Sequence, residues 1–216
     1  MNDTPTSPLN LTKITDLLWT GGDLADPAGE AQRAIRAWQE LGIGAVIDNR
    51  VEWSDEELVA AAAPEMDYLH AGVDDAGQVM PDWWFDTVTS FALGHIDQGS
   101  GVLVHCHMGI NRGPSAAFAV LLASWWDPID AIDLIRTSRP IAAVAYAENA
   151  LDWWHRQTDM RASDRADERQ RLIDWRRSNP HDTVRIMRDI ECSDHANSND
   201  WGALPTRQRT SRTSSW

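Results

Sequence analysis

The feature that most constrains this chain is an apolar tetrapeptide that leads directly into a polar octapeptide. The tetrapeptide is Gly101-Val102-Leu103-Val104, and the octapeptide runs from His105 to Arg112 before Gly113-Pro114-Ser115 and an Ala-rich stretch. The apolar run predicts a buried strand, and Pro114 suits the first turn of a helix, where its missing N–H costs nothing. The sequence therefore predicts a strand, a tight loop and a helix in direct succession.

The octapeptide holds residues suited to binding and attacking an anion. Cys106 and Arg112 enclose five residues, His107, Met108, Gly109, Ile110 and Asn111. A loop that enters a helix N-terminus points main-chain N–H groups inward, and the helix dipole there favours a thiolate. The Arg112 guanidinium can hold two phosphate oxygens, and Gly109 permits a backbone conformation that a side chain would obstruct. We predict a loop that binds a phosphate-sized dianion and attacks its phosphorus with sulfur.

The segment from Val104 to Arg112 resembles the His-Cys-(any five)-Arg signature loop of cysteine-dependent protein phosphatases, more narrowly of their dual-specificity branch. The likeness extends from Ile14 to Trp154 in the order of elements. It implies a phosphomonoester hydrolase that forms a phosphocysteine intermediate and uses neither a metal nor another cofactor. Cys106 is then the nucleophile, and the loop from His107 to Arg112 binds the phosphate. His105 is expected to support the thiolate through hydrogen bonds.

Phosphate ester cleavage also needs a proton donor for the leaving oxygen, commonly on a mobile loop. Asp74 and Asp75 lie between Gly72 and Gly77, before the helix that Pro81 opens. In similar phosphatases the acid precedes an aromatic residue of the next helix. Counting back from Phe85 favours Asp75 as this acid and leaves Asp74 as the alternative. Both residues could instead merely solvate a turn, where aspartate is common.

The position after the arginine departs from the phosphatase pattern. Most relatives have Ser or Thr there, and its hydroxyl helps expel the thiolate when phosphocysteine hydrolyses. This chain has Gly113, and Ser115 is the candidate replacement. We therefore expect slow hydrolysis of the intermediate. The departure keeps open a phosphate-recognising adaptor (pseudophosphatase), and a small-metabolite phosphatase is a further alternative because unseen loops set the depth of the pocket.

Composition limits the partners. The net charge is −14, and residues 1–160 hold 8 Lys and Arg against 24 Asp and Glu. This balance argues against nucleic acid or an anionic membrane as partner, and the loop lacks lysine, which disfavours very highly charged substrates. We expect a phosphorylated protein, first on tyrosine, or a small phosphomonoester; the oligomeric state stays open. The absence of an export pattern and the presence of only two cysteines, Cys106 and Cys192, favour a reducing cytoplasm.

Apolar strand patterns alternate with helical ones, which predicts an α/β fold with a short, mainly parallel central sheet and helices on both faces. Strands are expected at 14–19, 45–47, 66–69 and 101–104. We predict a flexible N-terminus at 1–12, a catalytic domain at 13–158, a charged helical appendage at 159–192 and a disordered tail at 193–216.

Twelve tryptophans include three adjacent pairs, Trp83-Trp84, Trp125-Trp126 and Trp153-Trp154. Neighbours on a helix point about 100° apart. We therefore expect one ring of each pair to face the core and the other to lie nearer solvent.

Overall fold

The computed structural model describes residues 10–24 and 28–198, with side chains described up to residue 190. Five short strands form one sheet in the order β1-β2-β5-β3-β4. They are β1 (Leu11–Lys13), β2 (Leu18–Gly21), β3 (Ile43–Asp48), β4 (Asp67–His70) and β5 (Gly101–His105). Every neighbouring pair is parallel except β1 and β2. The predicted α/β class and mainly parallel sheet are confirmed.

Eight helices follow or separate the strands within the described residues. They are α1 (Ala28–Glu40), α2 (Glu56–Ala62), α3 (Asp82–Ile96), α4 (Arg112–Ala123), α5 (Pro128–Ser138), α6 (Ala147–Gln157), α7 (Ala162–Ser178) and α8 (Thr183–Ser198). Two hydrophobic clusters show that helices cover both faces of the sheet. Val102 and Val104 of β5 pack in the cluster with α3 to α6, whereas Leu103 packs in the cluster with α1 and α2. The central strand is therefore buried on both faces.

The strand predicted at 14–19 is divided by a turn. Residues 15–17 form a bend, and β1 and β2 pair antiparallel on either side of it. The N–H groups of Ile14 and Thr15 both donate to the carbonyl of Leu18, at 2.8 and 3.1 Å. The Lys13–Asp16 ion pair spans the same turn at 2.9 Å. These local bonds override the apolar pattern and produce a hairpin.

The chain divides into two compact units, one that ends at His181 and one that begins at Asp182. Helix α7, predicted as an appendage, lies within the first unit: Leu172 is fully buried, and Arg171 pairs with Asp127 at 2.8 Å. Of the predicted flexible N-terminus, residues 1–9 lie outside the described residues, while Leu11 and Thr12 belong to β1. Of the predicted disordered tail, residues 193–198 end helix α8 and 199–216 lie outside the described residues.

The tryptophan pairs follow the prediction only inside helices. Trp84 and Trp153 are buried while Trp83 and Trp154 are more exposed. Trp125 and Trp126 are both exposed because they lie just beyond the end of α4. None of the described helices is both long and apolar enough to cross a membrane.

Candidate active site

The carboxyl ends of four parallel strands meet at one edge of the sheet, where α/β folds usually bind ligands. Cys106 follows β5, and its N–H donates to the carbonyl of Gly21 at the end of β2, at 3.3 Å. Segments that follow β3 and β4 carry Glu52 and Asp75 to the same edge. The Cys106 thiol is free and only 2% exposed. The topology thus gathers residues that are far apart in sequence around one thiol.

The signature loop presents a row of unused donors. Within the described chain, the main-chain N–H groups of residues 107–112 donate no hydrogen bond to protein. The first of these residues follow Cys106, and the last begins α4, where N–H groups lack helical partners. A concave array of N–H groups at a helix N-terminus binds anions. The loop therefore keeps a run of main-chain donors unbonded to protein, which is what the predicted anion site needs.

Gly109 and Arg139 fix the shape of this loop. Gly109 has φ +65°, and a Cβ there would lie 2.7 Å from the main-chain carbonyl of Gly21. Arg139 follows α5 and donates to the carbonyls of Gly109, at 2.6 Å, and Met108, at 3.3 Å. It is 4% exposed and pairs with no carboxylate among the described residues. Burial lowers the pKa of Arg139 to about 10, an effect that the nearby Cys106 opposes. Sequence reasoning missed this residue.

Arg112 is held from outside the loop by Glu52. Its Nη1 and Nη2 each donate to one Glu52 carboxylate oxygen at 2.8 Å, and Nη1 also donates to the carbonyl of Val73 at 3.0 Å. Burial works to lower the pKa of Arg112, but the bonds to Glu52 hold it above its ordinary value. The same bonds lower the pKa of Glu52 to about 2. The Arg112 Nε is buried and has no hydrogen-bond partner in the described structure. It is a donor available to an oxyanion.

The structure brings Asp75 to the loop. Its Oδ1 accepts from Asn111 Nδ2 at 2.6 Å and from the Tyr146 hydroxyl at 2.9 Å, and its Oδ2 lies 3.7 Å from Arg112 Nε. Burial, followed by the bond to Asp75, raises the pKa of Tyr146 to about 12, so the hydroxyl remains a donor. The Asp74 side chain is exposed, and its residue bonds to Gln78 only through the main-chain carbonyl, at 2.5 Å. The Asp75 carboxylate therefore contacts the loop, whereas the described bond of Asp74 involves its main chain. This difference favours Asp75, as the sequence does.

The rim of the loop is aromatic on one side. The side chain of His107 is half exposed, and its Nδ1 bonds to Asp23. The ring of Trp53 meets that of His107 edge-on, with centroids 5.2 Å apart, and Arg50 lies 5.2 Å from Trp53 on its buried side. His107 has the bonded partner expected of a structural histidine, and Trp53 is placed beside it at the mouth of the loop.

Comparison with known proteins bears on the fold. No family model and no curated protein sequence matches the chain. Solved phosphatase structures do match in fold. Tk-PTP in its active form gives a TM-score of 0.57 at 17% identity, covering 69% of this chain and 98% of that one. Human DUSP28 gives 0.56 at 16%, covering 68% and 95%. PTPMT1 in complex with PI(5)P gives 0.55 at 20%, covering 69% and 99%.

The chain has the dual-specificity phosphatase fold. In this phosphatase fold, His105 ends β5 directly before Cys106. Its ring is buried, and neither ring nitrogen has a hydrogen-bond partner among the described residues. Burial lowers the pKa of His105 to about 4, so the ring is neutral. The His105 carbonyl accepts from Asn49 N at 3.0 Å and from Asn49 Nδ2 at 2.9 Å, and support of the thiolate by His105 stays a prediction.

Close packing of α4 against β5 accompanies the departure at Gly113. A Cβ there would lie 3.1 Å from the Val104 carbonyl and 3.2 Å from His105, so α4 approaches β5 too closely for an easy fit. Ser115 is buried, and its Oγ bonds to Asn111 Oδ1 and accepts from Tyr146 N, each at 3.3 Å. Ser115 therefore supports the two residues that hold Asp75, and no bond joins it to Cys106 in the described chain.

One cluster in this phosphatase fold contains residue types that bind metals, namely Asp48, Asp55 and His105. Arg50 lies among them, fully buried, and donates to Asp48 at 2.7 Å and to Asp55 at 2.5 Å. Against the effect of burial, the bonds from Arg50 and Tyr68 lower the pKa of Asp48 to about 2. The carboxylate oxygens are thus already bonded to the Arg50 guanidinium, which also pairs with Asp23, and the cluster does not fit a metal ion.

Proposed function

We propose that the protein is a cysteine-dependent phosphomonoester hydrolase of tyrosine or dual specificity. The observation that carries the proposal is the unused row of N–H donors at residues 107–112, with the unpartnered Arg112 Nε beside it and the Cys106 thiol at its start. Electrostatic stabilisation by such fixed donors is a large part of phosphoryl-transfer catalysis. Asp75 supports the proposal as the proton donor, because its Oδ2 lies 3.7 Å from Arg112 Nε, next to the proposed phosphate clamp.

The reaction runs in two steps. The Cys106 thiolate attacks phosphorus, the bond to the leaving oxygen breaks, and protonated Asp75 gives its proton to that oxygen. Water then attacks the phosphocysteine, Asp75 accepts a proton from the water, and the sulfur–phosphorus bond breaks to regenerate the thiolate. Arg112 and the loop N–H groups hold the equatorial oxygens in both steps. Glu52 and Arg139 position the clamp and the loop without contacting the reacting atoms.

Phosphotyrosine in a protein is the proposed substrate. The loop has no lysine, and the chain carries a net charge of −14, which disfavours polyanionic substrates. Trp53 and His107 offer an aromatic wall to an aryl ester. PTPMT1 was solved with PI(5)P, a lipid headgroup ester, so a phosphoinositide belongs in the substrate panel. We also propose a cytoplasmic location, because a reducing compartment keeps the nucleophilic cysteine as a thiol.

A phosphate-recognising adaptor is the second candidate. It is favoured by the close approach at Gly113, which leaves no hydroxyl directly after Arg112, and by the engagement of Ser115 elsewhere. Such a protein would bind phosphate esters and release product poorly.

Hydrolysis of p-nitrophenyl phosphate by matched variants tests the proposal. We expect turnover by the wild type, none by Cys106→Ser, and a loss of roughly 10²–10⁴-fold in kcat for Asp75→Asn, the range for a lost general acid. Asp74→Asn is the matched control and should lose far less.

Each result that contradicts the proposal points to a particular alternative. Absence of wild-type turnover at every pH from acid to neutral would favour the adaptor, provided a phosphopeptide still binds. A larger loss for Asp74→Asn than for Asp75→Asn would reverse the assignment of the acid. A panel of phosphotyrosine peptides, phosphoserine peptides, a phosphoinositide and metabolite phosphates then separates a protein phosphatase from a lipid or metabolite phosphatase.

A further inference from the structure

The C-terminus of helix α4 holds a tryptophan where a helix end favours glycine. The N–H of Trp126 donates to the Leu121 carbonyl at 3.1 Å, and the N–H of Trp125 donates to the Leu122 carbonyl at 2.9 Å. This pair of bonds is the Schellman motif, whose left-handed residue is usually Gly. Trp125 has that conformation, with φ +64°. A side chain in this conformation costs free energy that Gly would not.

Burial of the Trp125 side chain offsets little of this conformational free energy. The Trp125 residue is 76% exposed, and its described ring contact is an edge-on one with Trp154, with centroids 4.9 Å apart. An exposed aromatic ring in a strained conformation, next to a second ring, is the kind of feature that binding rather than folding explains.

Trp125 lines a groove of about 630 Å³ with Trp153, Trp154, Asp86 and Asp159. Lys and Arg are absent from the lining of this groove. Asp86 accepts a bond from Trp153 Nε1 at 2.8 Å, which fixes one wall. No cation lies over the Trp125 or Trp154 ring within the part of the chain that is described. The groove therefore combines aromatic faces with negative charge and has no basic group of its own.

We propose that this groove binds a lysine or arginine side chain of a peptide segment in a partner protein. Aromatic faces attract cations, Trp most strongly, and desolvation strengthens the attraction. The carboxylates of Asp86 and Asp159 complement the same charge. Helix α4 begins at Arg112 and ends beside the groove, so its 12 residues separate groove and loop by about 18 Å. The groove is a docking surface outside the active site, and its binding does not depend on catalysis.

Anisotropy of a fluorescein-labelled peptide, Gly-Lys-Gly-Arg-Gly-Lys, tests this at 0.15 M salt, where unspecific attraction to an acidic protein is screened. The matched peptide has Gln in place of each Lys and Arg. We expect the full-length wild type to bind the basic peptide alone. Trp125→Gly should weaken binding at least tenfold and raise the melting temperature, because Gly suits the left-handed position.

Control variants test whether a loss of binding comes from the groove itself, from the loss of any exposed tryptophan, or from a change in folding. Trp83→Ala removes another exposed tryptophan that does not line the groove, and it should leave binding unchanged. Trp125→Asn keeps a residue tolerated at positive φ and should also lose binding. Asp159→Asn should weaken it.

Four results would overturn the proposal: no binding by the wild type, equal binding of the Gln peptide, equal affinity of wild type and Trp125→Gly, or a lower melting temperature for that variant. Sedimentation of the wild type as a dimer that Trp125→Gly dissociates would assign the surface to a second copy instead.

Discussion

Replacement of Glu52 by glutamine tests how the phosphate clamp is held. The bonds from Arg112 lower the pKa of Glu52 from 4.5 to about 2. That difference corresponds to at most about 3.5 kcal/mol, at about 1.4 kcal/mol for a tenfold change in proton affinity. The Glu52 side chain is 39% exposed, and solvent screening reduces the expected contribution to about 1–2 kcal/mol. Glu52→Gln should lower the free energy of unfolding by that amount at pH 7.

The loss of unfolding free energy in Glu52→Gln should be larger at neutral pH than at acid pH. The pKa of Glu52 is lower in the folded protein than in the unfolded chain, so its stabilisation is fully present above about pH 4.5 and disappears as the pH falls toward 2. Urea unfolding followed by circular dichroism should therefore show a large difference between wild type and Glu52→Gln at pH 7 and a small one at pH 3. Glu57→Gln, an exposed carboxylate on α2, is the matched control and should show neither.

Catalysis should fall as well. Glutamine leaves one acceptor for two donors, so the Arg112 guanidinium loses its fixed orientation. Misplacement of a positioning group by about 1 Å can cost about 10²-fold in rate. We expect kcat/KM for p-nitrophenyl phosphate to fall by about 10- to 100-fold. Equal stability at pH 7 together with unchanged kcat/KM would refute the view that Glu52 holds the clamp.

Two further predictions concern the loop and the residue after it. Gly109→Ala should destabilise the protein by about 1–2 kcal/mol and lower turnover more than tenfold, because it strains a positive φ and meets Gly21; thermal unfolding checks this, with Gly94→Ala, which has open space, as control. Rapid mixing with an aryl phosphate should release one equivalent of phenol in a burst before slower steady turnover, since no hydroxyl follows Arg112, and a linear progress curve from the first turnover would contradict that.

The local parts of the site could be predicted from sequence, whereas the distant parts could not. Strand, loop and helix adjoin in the chain, so Cys106, Gly109 and Arg112 follow from their order alone. Glu52 lies 60 residues before Arg112, and Arg139 lies 30 residues after Gly109. The pairing of β3 with β5 brings Glu52 to Arg112, and the packing of α5 against α4 brings Arg139 to the loop. An acidic residue shortly after a parallel strand was the available signal for Glu52; for Arg139 there was none.

Local bonds outside the pattern explain the other differences. The strand predicted at 14–19 fails because main-chain bonds to Leu18 close a turn that apolar periodicity does not report. The Trp125-Trp126 pair departs from helical geometry because α4 ends at Ala123, before either residue. In both places the position of a turn or of a helix end, which the apolar pattern does not report, determines which residues are extended or helical.

Arg139 places a buried positive charge beside the loop, and no carboxylate pairs with it among the described residues. In a chain of net charge −14, this buried guanidinium bonds to carbonyls and amide or hydroxyl oxygens, not to an acid, in the described structure. We expect a dianion in the loop to supply negative charge beside this guanidinium. An ester, free phosphate or another tetrahedral oxyanion should then bind the folded protein in preference to the unfolded chain and raise its stability.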